Sequence, residues 1–192
     1  MGKEFELKYL ASPEDLQKIQ QEFGDFQEIS METHYYDTKD GGLGNLRWTL
    51  RRRLENGVCI CCLKTPGHDL IRGEWETEAP AMEEGLKALC DMDVPPEFPN
   101  LVKDGLVEVC GARFVRRAKT VPTADGTAEL ALDQGVFLGN GKQQPCSELE
   151  VELNAGSRSA AETLAGEIAG SYGLRELSVS KYERALALGR EA

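Results

Sequence analysis

Apolar and ionisable residues alternate from the start of the chain. In Lys3–Tyr9, Glu4, Glu6 and Lys8 fall in one phase, and Phe5, Leu7 and Tyr9 in the other. A side-chain period of two belongs to a strand, so these triplets point to opposite faces. One face can pack on a core, while the other carries two carboxylates and an ammonium in a row. The same pattern returns in Glu148–Leu153, where Glu148, Glu150 and Glu152 alternate with Leu149, Val151 and Leu153. Two such strands side by side would gather carboxylates that call for a cation.

The pattern predicts further strands at Thr33–Thr38, Leu46–Leu54, Val58–Lys64, Leu70–Glu78, Leu106–Val121, Thr127–Asp133 and Gly135–Leu138. Asn56-Gly57 marks a tight hairpin turn, and Pro66-Gly67, Asp125-Gly126 and Gly139-Asn140-Gly141 mark others. Helical spacing takes over in three longer places. Ser12 and Pro13 open a helix over 13–23 that Gly24 ends; another covers 81–90; a third runs from Ser157 to Tyr172 and stops at Gly173. Asn100–Lys103 fits one helical turn, and Ser180 caps a short final helix holding Lys181, Tyr182 and Arg184.

An antiparallel sheet with its polar face in water would explain any one of these strands. Repetition changes the picture. Glu4, Glu6, Glu74, Glu76, Glu148, Glu150 and Glu152 recur beside Lys8, Arg51, Arg53, Lys64 and Arg72. A closed barrel with a polar interior, its apolar outside covered by the three longer helices, accounts for all of them in an α+β fold. Carboxylates hold hard divalent cations, and arginine and lysine hold phosphate oxygens, so a tunnel lined by both signs suits a metal–polyanion complex.

Composition bounds the rest. A chain of 192 residues, 41% hydrophobic and 29% charged, suits one globular domain, 1–192. The net charge of −11 argues against a nucleic-acid polymer or a membrane surface as partner. Six cysteines without zinc-site spacing read as reduced, buried thiols of a cytoplasmic protein. No apolar run approaches the roughly 18 residues of a membrane span, and no signal peptide opens the chain. An apolar outer sheet face leaves a homodimer open.

The ordered motifs resemble the CYTH domain of the triphosphate tunnel metalloenzyme superfamily. They are Glu4-x-Glu6-x-Lys8, Tyr36-Asp37-Thr38, Leu50-Arg51-Arg52-Arg53, Leu63-Lys64, Arg72-x-Glu74-x-Glu76, Glu129 to Gly135, Glu148-x-Glu150-x-Glu152 and Ser180-Lys181-Tyr182-x-Arg184. The resemblance implies an eight-stranded antiparallel closed barrel that binds a triphosphate with Mg²⁺ or Mn²⁺. No CHAD-type domain follows, so a stand-alone member is expected.

The resemblance also implies roles. Glu4, Glu6, Glu150 and Glu152 would ligate metal, with Glu148 a weaker candidate. Lys8 would hold the phosphate end or position the attacking water. Arg51, Arg53, Lys64 and Arg72 would clamp the phosphate chain, and Glu6, Lys8, Arg51 and Lys64 form the catalytic set. Arg116 is the favoured tunnel residue of its strand, with Arg113 or Arg117 replacing it if a bulge shifts the phase. Lys181 and Arg184 would reach the tunnel mouth. Glu74, Glu76, Glu129 and Asp133 would bind a second metal, orient basic groups or order water, and the sequence does not rank these. Arg47 and Arg52 are read as surface residues, Trp48 and Trp75 as outer packing, and neither His34 nor His68 is assigned to catalysis. Hydrolysis of inorganic triphosphate is the favoured activity, since no pocket for an organic group is legible. A class IV-type adenylate cyclase, a thiamine triphosphatase and a non-catalytic polyphosphate-binding module are the alternatives.

Overall fold

The computed structural model describes residues 2–67 and 71–188. His68 and the side chain of Arg72 lie outside the described residues. The elements in order are β1 (Gly2–Leu10), α1 (Pro13–Phe23), β2 (Gln27–Asp37), α2 (Gly42–Asn45), β3 (Thr49–Glu55), β4 (Val58–Thr65), β5 (Ile71–Glu78), α3 (Met82–Cys90), α4 (Phe98–Val102), β6 (Val107–Pro122), β7 (Thr127–Gly139), β8 (Lys142–Ala155), α5 (Arg158–Tyr172), β9 (Arg175–Glu176) and α6 (Lys181–Leu188).

The strands form one antiparallel sheet in the order β5-β4-β3-β2-β6-β7-β8-β1-β9. The α+β class stands, and the closed eight-stranded barrel is corrected on two counts. First, the described residues form nine strands, because the two-residue β9 adds to Tyr9 and Leu10 of β1. Second, no continuous ladder closes the ring. β1 changes partner halfway: Gly2–Phe5 lie against Ile71–Glu74 of β5, and Glu6–Leu10 against Glu148–Glu152 of β8. No residue of β1 bridges the two neighbours. The physical reason is stagger: a coiled, twisted sheet offsets adjacent strands along their length, so the last strand meets its two neighbours at different heights.

Other boundaries also move. Residues 127–133 and 135–138 belong to a single strand, β7, that runs through Gly135. The backbone of β6 crosses so closely there that a Cβ on Gly135 would collide with the Arg113 carbonyl and with Phe114. β3 starts at Thr49 rather than Leu46, because α2 and a turn occupy the preceding residues and Arg47 takes a left-handed φ of 60°. Asp37 explains this corner. Its buried carboxylate accepts from the backbone N–H of Thr38, Leu43 and Gly44, which gives the Tyr36-Asp37-Thr38 motif a structural task.

The helix signals act as expected. Ser12 Oγ accepts from Asp15 N at 3.1 Å and the Asp15 carboxylate accepts from Ser12 N at 3.1 Å, a reciprocal cap on α1. Ser180 and Glu183 repeat the arrangement on α6. At the other end of α1, the Lys119 ammonium donates to the Gly24 carbonyl at 2.7 Å.

Apolar burial lies on both sides of the sheet. Phe5, Leu7, Leu130, Leu132, Leu149 and Val151 meet Leu16 and Ile19 of α1 and Ala161, Ala165 and Ile168 of α5. Leu50, Leu63 and Trp75 pack under α3 and α4 with Leu89 and Phe98, and Trp48 joins them. The third cluster sits on the opposite face. Cys110, Ala112 and Phe114 share the phase of Arg116, Phe137 shares that of Asp133, and Cys146 that of Glu148; α6 covers them with Tyr182, Ala185 and Leu188. So α1, α3 and α5 cover the convex face as expected, whereas α6 lies within the concave one.

Candidate active site

The concave face encloses a cavity of about 330 Å³ lined by residues from β1 to β8 and the start of α6. Period-two alternation puts them there, since each strand turns its apolar phase to the helices and its ionisable phase inward. Glu4, Glu6, Lys8, Arg51, Arg53, Lys64, Arg116, Glu150, Glu152 and Lys181 all line this one space. Thus ten of the predicted residues converge. Arg116, rather than Arg113 or Arg117, faces inward; Arg113 is exposed and Arg117 pairs with Glu28 at 3.3 Å. The bulge between β2 and β6 lies at Tyr35/Tyr36, beyond that stretch, and leaves the phase at 116 intact.

Strand register sorts the charges. Glu6 of β1 faces Glu152 of β8, which in turn faces Glu129 of β7. This row holds three carboxylates, and among the described residues neither Glu129 nor Glu152 has an ion-pair partner. Burial, then the charges of Glu4 and Glu6, push Glu152 up to about 7. Burial also raises Glu129. Glu4 is raised by burial, against the opposing pull of Lys64. Like charges crowded in a poorly solvated space resist ionisation, and a cation relieves them.

Next to this row every acid has a cation beside it. Arg116 grips Asp133 with two parallel bonds, Nε to Oδ1 at 2.8 Å and Nη2 to Oδ2 at 2.7 Å, and also reaches Glu150. Lys181 lies 2.8 Å from Asp133 and 2.6 Å from Glu150, and bonds Glu148 as well. Arg184 pairs with Glu148. Burial works against the Glu150 anion, but Lys181 and Arg116 outweigh it and hold its pKa well below the ordinary range. Glu148 and Arg184, two predicted site residues, do not line the cavity; they form a buried pair behind it.

The basic wall comes from β3 and β4. The Lys64 ammonium donates to Glu4 at 2.7 Å and sits 3.2 Å from Glu74. Arg51 lies 3.9 Å from Glu74 and 3.8 Å from Glu76, too far for hydrogen bonds. The Nε atoms of Arg51 and Arg53 are buried without a hydrogen-bond partner. Buried donors rarely stay unpaired, so this wall is prepared for an anion. Lys8 donates to Glu6 at 3.0 Å. Cys62 also clusters with Glu74 and Glu76, but burial pushes its thiol to about 12, so it stays protonated.

The sequence missed Glu55, which lines the cavity and pairs with Arg53. Its signal was available, as it continues the phase of Arg51 and Arg53. A second cavity of about 620 Å³ adjoins the first and shares Thr49, Lys64, Ser180 and Tyr182 with it. Asn45, Arg47, Thr65 and Ser178 also line it. Elsewhere, His34 bridges Glu108 and Glu32 on the outer face, away from the cavity. No helix among the described residues is long and apolar enough to cross a membrane.

Comparison with known proteins agrees with this geometry. The chain is 27% identical over 164 residues to an inorganic triphosphatase of Haemophilus influenzae, covering 82% of this chain and 47% of that relative, so it spans about half the relative's length. Among solved structures, the Hippeastrum HpAC1 protein, described as having a dominant triphosphatase activity, superposes with a TM-score of 0.68 at 19% identity, over 98% of this chain and 97% of that one. The PH1819 protein of Pyrococcus horikoshii gives a TM-score of 0.68 at 21% identity, over 96% and 99%. At such identities these structures speak for the fold. The CYTH domain profile matches residues 2–186, nearly the whole length, and the chain belongs to the CYTH domain family.

Proposed function

We propose that this protein is a divalent-metal-dependent triphosphatase that hydrolyses inorganic triphosphate to pyrophosphate and phosphate. The observation that carries the reading is the division of the cavity. One wall presents cationic groups, with the Nε donors of Arg51 and Arg53 unpaired, and the other a row of carboxylates in which, among the described residues, Glu129 and Glu152 have no ion-pair partner.

The carboxylate row fits a hard cation. Glu6, Glu129 and Glu152 stand in register, Glu4 lies in phase with Glu6, and burial together with the charges of Glu4 and Glu6 raises the pKa of Glu152 to about 7. Oxygen-only ligands of this kind suit Mg²⁺ or Mn²⁺. Glu150 adjoins the row and is already paired with Arg116 and Lys181. When bound, the metal would polarise phosphate oxygens as a Lewis acid.

The chain's own groups do the rest. Arg51, Arg53 and Lys64 bind the phosphate chain through charge-assisted hydrogen bonds, and Arg72, directly opposite Glu4 in the strand register, is assigned to the same clamp. Arg116 and Lys181 extend it from the other side. As water adds in line to the terminal phosphorus and the bridging P–O bond breaks, charge builds on the departing pyrophosphate. Fixed cations in a cavity of low dielectric stabilise that charge without reorganising. Lys8, held by Glu6, is placed to orient the water or the terminal phosphate.

A second reading has a specific observation behind it. The adjoining 620 Å³ cavity offers room for an organic group attached to the triphosphate, as a cyclase or thiamine triphosphatase substrate would carry. Its lining is richer in hydroxyl and amide groups than in cations, unlike the first cavity. The deciding experiment compares phosphate release from tripolyphosphate, ATP and thiamine triphosphate with Mg²⁺, with Mn²⁺ and with chelator. Metal-dependent release from tripolyphosphate is expected. Cyclic AMP and pyrophosphate from ATP, with tripolyphosphate intact, would replace the substrate. Tight tripolyphosphate binding with no release under any metal would make the protein a binding module.

A further inference from the structure

Asp133 is fully buried, does not line the cavity and has no task in the reaction above. Its position is nonetheless specific. It stands directly opposite Arg116 in the β6–β7 register and takes that guanidinium in a two-bond fork. The same carboxylate meets the Lys181 ammonium, which arrives from α6. Both cations also rest against the ring of Phe114, with centroid distances of 6.0 Å for Arg116 and 5.3 Å for Lys181.

Asp133, Glu148 and Glu150 bring their oxygens within 4.8 Å of one another, the spacing of a metal site. Here three cations, Arg116, Lys181 and Arg184, already balance those three acids. A divalent ion placed among them would add uncompensated positive charge to a dry region, which Coulomb repulsion opposes strongly.

We propose that Asp133 is a positioning residue rather than a metal ligand: it sets Arg116 of the sheet and Lys181 of α6 side by side at the cavity wall, where they receive the phosphate chain. Two like charges that close need a shared anion, and the fork fixes the guanidinium plane while leaving Nη1 out of the pair. Asp133 thereby ties the orientation of α6 to that of β6. This inference rests on the triphosphatase reading, and it makes a different demand on the metal.

The test is Asp133→Asn, which keeps shape and removes charge. Expected are a tripolyphosphate KM raised about tenfold or more, a smaller change in kcat, and unchanged Mn²⁺ affinity. Calorimetric binding of tripolyphosphate should weaken in parallel, a readout that needs no turnover. A double-mutant cycle with Arg116→Gln then asks whether Asp133 works through Arg116. Expected is a smaller rise in KM when Asp133→Asn is added to Arg116→Gln than when it is made alone, the remainder acting through Lys181. Loss of Mn²⁺ binding, or full multiplication of the two effects on KM, would overturn the proposal. If Asp133→Asn does not fold, Asp133→Glu keeps the charge and displaces it by one methylene; the same KM rise with intact metal binding is expected, and lost metal binding counts against the proposal. A wild-type protein that releases no phosphate removes the triphosphatase reading itself, whereas the metal titration of the variant judges Asp133 separately.

Discussion

β8 carries two kinds of carboxylate a few residues apart. Glu148 is wholly buried and bonded to Lys181 and Arg184, while Glu152 is packed among other acids and has no ion-pair partner among the described residues. Both are glutamates in one phase of one strand, and only their neighbours differ. Glu148 is placed opposite Asp133, beneath the cations of α6, and Glu152 opposite Glu6 and Glu129. The first arrangement is a finished ion network and holds the architecture together. The second is electrostatically unfinished and therefore available for a ligand. An acidic cluster becomes a metal site through the charge it leaves unbalanced, more than through the number of its oxygens.

The largest expected effect falls on the unfinished side. Glu6→Gln removes one member of the row and should lower metal-dependent phosphate release by about 10³-fold or more, while far-ultraviolet circular dichroism stays native. Full activity in that variant would sink the assignment of the row.

On the finished side the loss should appear as stability. Glu148→Gln strands the charges of Lys181 and Arg184 in a buried place, which costs about 3–5 kcal/mol in urea denaturation. Equal loss of stability in Glu152→Gln would erase the distinction, since removing an unbalanced charge is expected to leave the metal-free protein as stable as before or more so.

The basic wall should respond between these extremes. Arg51→Ala removes a guanidinium whose Nε is buried and unpartnered, and should reduce kcat/KM for tripolyphosphate by about 10²-fold. Steady-state kinetics at saturating Mn²⁺ checks this, and an unchanged kcat/KM would place the phosphate chain elsewhere.

The smallest effect is on pH dependence. Glu152 has a folded-state pKa raised to about 7 from 4.5, so the folded protein holds this proton more tightly than the unfolded chain does. Its contribution favours the fold below the unfolded value and is lost as pH rises through about 7. A divalent ion competes with that proton. The Mn²⁺-induced rise in Tm should therefore be larger at about pH 8 than at about pH 6. A rise that does not change with pH would leave Glu152 out of the metal site.

Much of this was legible in the chain. Alternation gave the two faces of β1, β3 and β8, and the capping serines gave the starts of α1, α5 and α6. What alternation does not encode is pairing. Glu148, Glu150 and Glu152 are indistinguishable by phase, and all three read as metal candidates. Their separation comes from Asp133 and Glu129 on β7 and from Lys181 and Arg184 on α6, which lie three residues apart on one helical face and reach the strand only in the folded chain. The same limit hid the placement of α6. The sequence puts Lys181 and Arg184 on a short helix near the tunnel mouth, and only Cys110, Ala112, Phe137 and Cys146 on the concave side show where its apolar residues pack. The split pairing of β1 and the two-residue β9 depend on sheet stagger, for which a single strand's sequence holds no signal. The second cavity was missed because it is made by turns around Asn45, Thr65 and Ser178 that come from three separate parts of the chain.

The most direct test of this contrast is Mn²⁺ binding followed by electron paramagnetic resonance, with wild type, Glu152→Gln and Glu148→Gln titrated side by side. Binding should be strongly weakened in Glu152→Gln and retained in folded Glu148→Gln. Retention in Glu152→Gln with loss in Glu148→Gln would place the metal among the cation-filled acids and contradict the account.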